Sequence, residues 1–413
     1  MDKNKKSLQK VSVEELLKLI PDEEISILAK DTKVDYCAKV LYGRSVFYLL
    51  LYGLLQIDRT SQRGLEDLFN SSKFKFLFNI DPTKTIRHSS ISERLSVMDA
   101  VFFEQTFELF YQKLSSLYSE QEMLSSLITC VDSTMVAEAS SKLSGGMCVG
   151  CKKDGKKQIK YTISFDGLFP SSVDIFSSQK ELSEDLTIPK VVFTQAKKHK
   201  TKVYVFDRGV SKRTTFSRMN AEEIEFVSRI NAGSRYHCVE LLEEGNCRQI
   251  SKLFLVRQEK IQLYKDGGKQ LLPEIFRLIT TENERGETFC FLTNIFDVEA
   301  EVVILFYKKR WDIEVFFRFL KQELNFKHFV STDENGIKIM VYMTLILSML
   351  LMIYKRINQL GYKTAKRRFI IELDEIIMRM VVTKSGGNPD LVFRRTYNNK
   401  NKNEWTEKSS EHS

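Results

Sequence analysis

The sequence predicts a protein of mixed α and β structure, α+β or α/β, because its pattern changes from helical to strand-like and back to helical along the chain. Residues 1–122 carry apolar residues at helical spacing, with no strand-like alternation of any length. From Leu124 the pattern turns to short β-branched runs that end in an acid or a turn signal. After Ile295 the spacing is helical again. A chain of 413 residues is too long for one simple core, so we expect two or three domains.

These changes divide the chain into four predicted regions. They are a helical N-terminal region, 1–122; a central α/β domain in two segments, 123–231 and 295–382; a β-rich insertion, 232–294; and a polar, basic tail, 383–413, expected to be disordered. In the first region Ser90 stands three residues before Glu93, a pattern that predicts a capped helix start.

Charge and cysteine usage limit the classes of function. The net charge of +9 favours a polyanionic partner such as nucleic acid. Seven scattered cysteines, including a lone Cys148-x-x-Cys151 pair, argue against both a disulfide framework and a zinc site. The start of the chain lacks the apolar segment of a signal peptide. We therefore expect a cytoplasmic protein.

The longest apolar run, Ile339 to Tyr354, bears on a membrane location. It has 16 residues, which is short of the ~18–20 that a membrane-spanning helix needs. The run therefore predicts a buried helix, and we expect no membrane partner.

Residues 304–325 predict one amphipathic helix with an unusual polar face. At 100° per residue, Tyr307, Arg310, Glu314 and Lys321 fall within an arc of roughly 60°. The opposite face carries the apolar residues Leu305, Phe306, Ile313, Phe316, Phe319 and Leu320. A carboxylate can hold Mg²⁺, and the phenol, guanidinium and ammonium can contact phosphate oxygens. A solvated helix face is the alternative interpretation of the spacing alone.

The spacing Y-x2-R-x3-E-x6-K resembles the signature of DDE transposases of the insertion-sequence-four type. Two upstream segments resemble the same family, VDST with Asp132 and FDRG with Asp207, each at the end of a predicted strand. Taken alone, either aspartate could simply cap a turn. The resemblance covers roughly residues 30–360 and is most specific at 304–325.

The resemblance implies an RNase H-like catalytic domain with a β-rich insertion, preceded by a helical DNA-binding region. It implies that Asp132, Asp207 and Glu314 are catalytic carboxylates that hold two Mg²⁺ or Mn²⁺ ions. Tyr307, Arg310 and Lys321 would bind DNA phosphate. The implied activity is cut-and-paste movement, with cleavage at terminal inverted repeats and 3′-OH transfer into target DNA. Double-stranded DNA is the implied partner, bound by a homodimer in the nucleoid.

The chain departs from the family at two points. An aromatic residue often follows the Asp-x-Gly closely, whereas here the first is Phe216. Relatives hold a flipped base with a tryptophan in the insertion, which here has none, leaving Phe291 or Tyr264 as substitutes. In the N-terminal region the expected DNA contacts are basic residues among aromatics: Arg59, Arg63, Lys73, Lys75, Lys84 and Arg87.

Two other functions are compatible with these residues. An RNase H-like nuclease would keep the three acids and cut DNA without strand transfer. A DNA-binding protein descended from a transposase would have lost catalysis. The intact set of acids beside the basic helix face argues against the second, since a binding module has no need of three acids beside a phosphate.

Overall fold

The structure is a computed structural model, and it describes residues 11–56, 60–139, 142–143, 145–148, 155–198, 202–245 and 248–393. Cys151, Arg59 and most of the expected disordered tail lie outside the described residues.

The N-terminal part of the chain is helical. Its helices are α1 (Val13–Leu17), α2 (Asp22–Asp31), α3 (Gly43–Gln56), α4 (Gln62–Asn70), α5 (Ser72–Leu77), α6 (His88–Val97), α7 (Ala100–Ser115) and α8 (Glu120–Ser126). Aromatic side chains join them, as where Phe47 of α3 lies 6.0 Å from Phe110 of α7, measured between ring centroids. The capped start predicted at Ser90 is wrong, because α6 begins two residues earlier, at His88, with Arg87 as its cap.

The apolar run predicted to be buried forms the middle of α13 (Glu334–Ile357). This helix is long and apolar enough to cross a membrane by length and composition, but 94% of its most apolar window is buried inside the fold. Tyr342 of α13 packs on Phe107 of α7, with ring centroids 5.9 Å apart. Helix α13 is therefore a core helix that joins the N-terminal helices to the rest of the molecule, as predicted.

In the described residues, eleven strands form one mixed sheet. They are β1 (Ile128–Ala139), β2 (Met147–Cys148), β3 (Lys156–Phe165), β4 (Pro170–Phe176), β5 (Val203–Phe206), β6 (Phe226–Ile230), β7 (Tyr236–Glu244), β8 (Gln249–Ile250), β9 (Leu253–Tyr264), β10 (Leu271–Asn283) and β11 (Thr288–Thr293). The remaining helices are α9 (Glu184–Lys198), α10 (Arg213–Ala221), α11 (Ala300–Lys308), α12 (Arg310–Glu323), α14 (Tyr362–Lys384) and α15 (Pro389–Val392).

Half of this sheet has the RNase H-like strand arrangement. The order is β4-β3-β1-β5-β6, in which β3 runs antiparallel to both neighbours while β1, β5 and β6 are parallel. Each parallel connection passes through a helix, α9 before β5 and α10 before β6, as parallel pairing requires. The predicted mixed fold class is confirmed.

The strands between residues 236 and 293 extend the same sheet. Strand β11 pairs antiparallel with β6, and β10, β9 and β7 follow in order to the edge. Strand β9 is continuous over twelve residues. The long segment between Asp207 and the later helices therefore extends the sheet beyond β6 and does not interrupt the pairing of β1, β5 and β6.

Candidate active site

Asp132 and Asp207 lie side by side because their strands pair in register. Strand β1 pairs in parallel with β5 from Ile128 opposite Val203 to Cys130 opposite Val205. Extending this register by two residues places Asp132 opposite Asp207, one residue past the end of β5. Neighbouring strands are about 4.8 Å apart, and the same register puts both side chains on the same face of the sheet. Backbone pairing alone therefore brings the two aspartates together.

Glu314 reaches this site from helix α12, which lies on the sheet. Its apolar face buries Ile313, Phe316, Phe319 and Leu320, and the Phe316 ring stacks on Phe165 of β3 with centroids 4.8 Å apart. Glu314 is consequently on the polar side of α12, with its side chain 32% exposed.

Arg310 links the helix to the sheet. One terminal nitrogen (Nη2) lies 2.6 Å from Oε1 of Glu314, and the other (Nη1) lies 3.8 Å from Oδ2 of Asp132. The side chains of Arg310 and Asp132 are each 16% exposed. The structure thus joins Asp132 and Glu314 through one shared guanidinium.

The single helix predicted over 304–325 is two helices, because the chain breaks at Lys309 between α11 and α12. The two helices bury different sides, because α11 packs on β5, β6 and β11 whereas α12 packs on β1 and α14. Leu305, predicted to face the core, is 50% exposed, whereas Tyr307 is 9% exposed. The prediction of a buried apolar face is therefore right for α12 and wrong for Leu305, since angular spacing does not say which neighbour each part of a helix packs against.

Tyr307 contacts the site through its hydroxyl group, which donates a hydrogen bond to Oδ1 of Asp207 at 3.1 Å. Burial, with the neighbouring Asp207 charge, raises the pKa of Tyr307 to about 12. Its ring packs edge-on against Phe291 at 5.2 Å and lies under the Arg310 guanidinium at 5.7 Å. Tyr307 therefore fixes the orientation of Asp207 from inside the fold.

Burial and nearby anions alter the acidity of Asp132. Burial is the main cause that raises its pKa to about 6, and the charges of Glu184 and Asp207 act in the same direction. The backbone amide of Ser133, which donates to Oδ1 at 2.7 Å, and the Arg310 charge act against it. A carboxyl group in this environment gains stability from any additional positive charge.

Lys321 lies two turns beyond Glu314 and is half-buried. Burial lowers the pKa of its ammonium, and the charge of Asp132 acts against this shift. The four residues of the predicted polar face and the two upstream aspartates are therefore in one region of the molecule.

Glu184 is a fourth acid at this site that the sequence did not indicate. It begins α9, and its charge raises the pKa of Asp132 while its own pKa is raised by burial and then by Asp207. Its carboxylate covers the turn after Asp207 so closely that a Cβ atom on Gly209 would lie 2.1 Å from Oε2. Its one sequence signal, an acid next to a helix start, is too common to distinguish it.

The donor chemistry of this site fits a hard divalent cation, because carboxylate oxygens are the ligands that Mg²⁺ and Mn²⁺ prefer. The arrangement of the donors differs from a formed metal site. Within the described residues, no three acidic, histidine or cysteine side chains are grouped closely enough to hold a metal ion. The guanidinium of Arg310 is the cation that Asp132 and Glu314 share.

Two residues considered for other DNA contacts are buried. Phe291 is 3% exposed and packs in the core, so it is not available to stack on a flipped base. Lys75 is 7% exposed, and its ammonium donates to the carbonyl oxygen of Pro82 at 2.9 Å. Tyr264 lies at the end of β9 with Arg235 over its ring, 5.3 Å from the centroid. Phe216, the late aromatic after Asp207, is buried and stacks on Phe226 at 5.3 Å.

Comparison with known proteins gives a family match over residues 124–350, to the family described as transposase DDE domain. A protein of Sinorhizobium fredii named as the transposase y4zB is 32% identical over 93 residues, which are 22% of this chain and 26% of that protein. A protein of Geobacillus stearothermophilus named as the transposase for insertion sequence element IS5377 is 20% identical over 325 residues, 78% of each chain.

Among solved structures, the chain is similar to the piggyBac transposase in its synaptic complex with hairpin DNA. The TM-score is 0.47 and the identity 12%, over 91% of this chain and 83% of that one. The family match includes all four acids described above and the strands and helices that carry them.

Proposed function

This chain belongs to the transposase DDE domain family and is a DNA transposase; we propose that it moves an insertion sequence by cut and paste, with Asp132, Asp207 and Glu314 as its catalytic carboxylates. We also propose that it is of the insertion-sequence-four type, on the basis of the Y-x2-R-x3-E-x6-K spacing. The observation that carries the proposal is the convergence of three acids from separate elements, strands β1 and β5 and helix α12.

The three acids would hold the divalent cations that phosphoryl transfer requires. When bound, two such ions supply an activated attacking oxygen and a stabilised leaving oxygen on either side of the phosphate. Asp132 and Asp207 contribute from neighbouring strands, where the register fixes their separation. Glu314 contributes from the facing helix, whose apolar side is anchored on β3 through Phe316.

The three basic or phenolic residues have distinct proposed roles. Lys321, half-buried on the polar face of α12, offers an ammonium to DNA phosphate near the cut. Arg310 offers a planar fork that matches two phosphate oxygens. Tyr307 is nearly buried and donates a hydrogen bond to Asp207. We therefore propose that it orients the Asp207 carboxylate, in addition to any contact that it makes with DNA phosphate.

Double-stranded DNA is the proposed partner, at the terminal inverted repeats and at the target site. The net charge of +9 supports phosphate contacts beyond the site itself. In the N-terminal region, Nζ of Lys73 forms an ion pair with Oδ1 of Asp374 at 2.8 Å. Arg63, Lys84 and Arg87 are therefore the better candidates for DNA contacts there. We propose a homodimer that brings the two ends together, and a nucleoid location in the cytoplasm.

The test is a cleavage and strand-transfer assay. The full chain is incubated with Mg²⁺, a target plasmid and labelled duplex DNA from the ends that flank its gene. Products joined to the plasmid support transposition, whereas cut ends without joining identify a nuclease. Glu314→Gln should abolish both products, and Glu323→Gln, which removes an acid from the end of the same helix, should leave both. Full activity of Glu314→Gln would refute the assignment of the site.

A further inference from the structure

Arg310 holds a position between two carboxylates that are proposed to bind metal. It contacts Glu314, one helical turn further along α12, and Asp132 on β1, at 2.6 and 3.8 Å. The shorter contact, to Glu314, is a charge-assisted hydrogen bond, whereas the longer one, to Asp132, is an ion pair. A divalent ion coordinated by these carboxylates would lie within a few ångströms of the guanidinium, and the two positive charges would repel each other.

The guanidinium is only partly satisfied where it lies. Its Nε atom is buried and has no hydrogen-bond partner among the described residues. A buried donor without a partner costs on the order of 1–3 kcal/mol. Arg310 is also the first residue of α12, directly after the break at Lys309, so its backbone belongs to the end of a helix and not to its middle. The ion pair with the two acids therefore keeps Arg310 in a position where its Nε donor makes no hydrogen bond to the described residues.

A DNA phosphate would offer Arg310 a better set of partners. Phosphate oxygens accept two parallel bonds from a guanidinium fork, which the split contact to Asp132 and Glu314 does not provide. Movement of Arg310 from the acids to a phosphate would leave Asp132 and Glu314 without their shared cation. Carboxylates that are partly buried and unpaired are then strong ligands for a divalent cation.

We propose that Arg310 is an internal competitor of the catalytic metal: it neutralises Asp132 and Glu314 until DNA phosphate draws it away, which couples metal loading to DNA binding. This inference rests on the proposed function, because it takes those acids to be metal ligands. It differs from a simple phosphate contact in one respect. A residue that only bound phosphate would have no effect on the affinity for metal in the absence of DNA.

The first experiment measures Mn²⁺ binding to the DNA-free protein by calorimetry and by the electron paramagnetic resonance of free Mn²⁺. We expect Arg310→Gln to bind Mn²⁺ roughly tenfold or more tightly than the unchanged chain, because like charges a few ångströms apart repel strongly at low dielectric. The matched control is Arg318→Gln, which removes the same charge from an exposed position on the same helix. Equal affinities in the two variants would overturn the proposal.

A second variant and a thermal melt guard against misfolding. Arg310→Lys keeps the charge and loses the fork, so its Mn²⁺ affinity should lie between those of the unchanged chain and Arg310→Gln. Both variants should melt cooperatively in the absence of metal. If Arg310→Gln does not fold, an affinity of Arg310→Lys no greater than that of the unchanged chain overturns the proposal by itself.

The coupling is tested by repeating the titration with a duplex oligonucleotide from the flank of the gene. DNA should raise the Mn²⁺ affinity of the unchanged chain, and by linkage Mn²⁺ should raise the DNA affinity by the same factor. In Arg310→Gln this factor should fall towards one. The same factor in both proteins would show that Arg310 does not transmit the effect and would overturn the coupling.

Asp207→Asn separates a failure of this inference from a failure of the proposed site. If Asp207→Asn weakens Mn²⁺ binding while Arg310→Gln matches Arg318→Gln, the metal site stands and the competition is wrong. If Asp207→Asn binds Mn²⁺ as the unchanged chain does, the proposed site itself is wrong.

Discussion

The two sides of the candidate site are held in place by different forces. On the sheet side, backbone pairing of β1 and β5 sets Asp132 against Asp207. On the helix side, Phe316 packs α12 on β3, and the carboxylate of Glu314 is linked to that of Asp132 by the side chain of Arg310. Strand register is specified by many hydrogen bonds and by the buried face of the sheet, whereas an ion pair depends on two side chains. The sheet side should therefore keep its geometry through single substitutions that rearrange the helix side.

The largest expected effect comes from removal of a carboxylate on the sheet side. Asp207→Asn should lower single-turnover DNA cleavage by on the order of 10²–10³-fold, as loss of one catalytic electrostatic contact does in other enzymes. Because the register of β1 and β5 is set by the backbone, the thermal stability should change little. Asp297→Asn, which removes an exposed acid, is the control. Cleavage within a few-fold of the unchanged chain would exclude Asp207 from catalysis.

The buried charge on the sheet side predicts a pH-dependent stability in the presence of a chelator. The pKa of Asp132 is raised from 3.8 to about 6, so between these values the folded protein holds a proton that the unfolded chain has lost. That proton contributes about 3 kcal/mol to the free energy of unfolding. The contribution is fully present below pH ~4 and is lost as the pH rises through about 6.

Asp132→Asn removes this dependence and should raise the free energy of unfolding at pH 8 by up to about 3 kcal/mol, with little change at pH 4. Denaturant titrations of both proteins at the two pH values measure it. A difference that is the same at pH 4 and pH 8 would contradict the raised pKa.

Gly209→Ala tests how tightly Glu184 packs against the sheet side. The added Cβ would lie 2.1 Å from Oε2 of Glu184, so the carboxylate has to move. We expect a loss of about 1–3 kcal/mol in the free energy of unfolding, the usual range for overpacking. Glu184→Ala removes the clashing atoms, so the double variant should lose less than the sum of the single variants. Additive losses would show that Glu184 does not occupy this position in solution.

The smallest predicted effect on cleavage comes from the hydrogen bond between Tyr307 of α11 and Asp207 on the sheet side. Tyr307→Phe removes the hydrogen bond to Asp207 and keeps the ring that packs on Phe291. We expect cleavage to fall about tenfold, in line with roughly 1–1.5 kcal/mol for one hydrogen bond, mainly in the rate of the chemical step. Tyr36→Phe, at a tyrosine that is 80% exposed, is the control. A change in DNA affinity alone would assign Tyr307 to phosphate binding instead.

Much of the local structure was predictable. The end of β5 just before Asp207 follows from a β-branched run closed by an acid, and the 16-residue apolar run lies in the buried helix α13, as predicted. The strand end predicted at Asp132 is wrong, because pairing with β3 extends β1 beyond Asp132 to Ala139. The polar face of α12 follows from its helical period. In each case the signal lies within about twenty neighbouring residues.

Contacts between distant segments were not predictable in the same way. The bridge from Arg310 to Asp132 joins residues far apart in the chain, and nothing near either residue marks the other. The sequence does not indicate Glu184 for the same reason, since its proximity to Asp132 depends on how α9 packs across the sheet. The exposure of Leu305 depends on which strands α11 packs against, namely β5, β6 and β11.

The sequence by itself therefore determined the mixed α and β pattern, the strand end before Asp207, the polar face of α12 and the excess of positive charge that favours a polyanionic partner. Those properties depend on local periodicity and composition. Only the tertiary structure decided that β1 and β5 pair in the register that sets the two aspartates together, that Glu184 joins them, and that Arg310 lies between the sheet and the helix. These depend on the packing of distant segments, which the local pattern of residues does not encode.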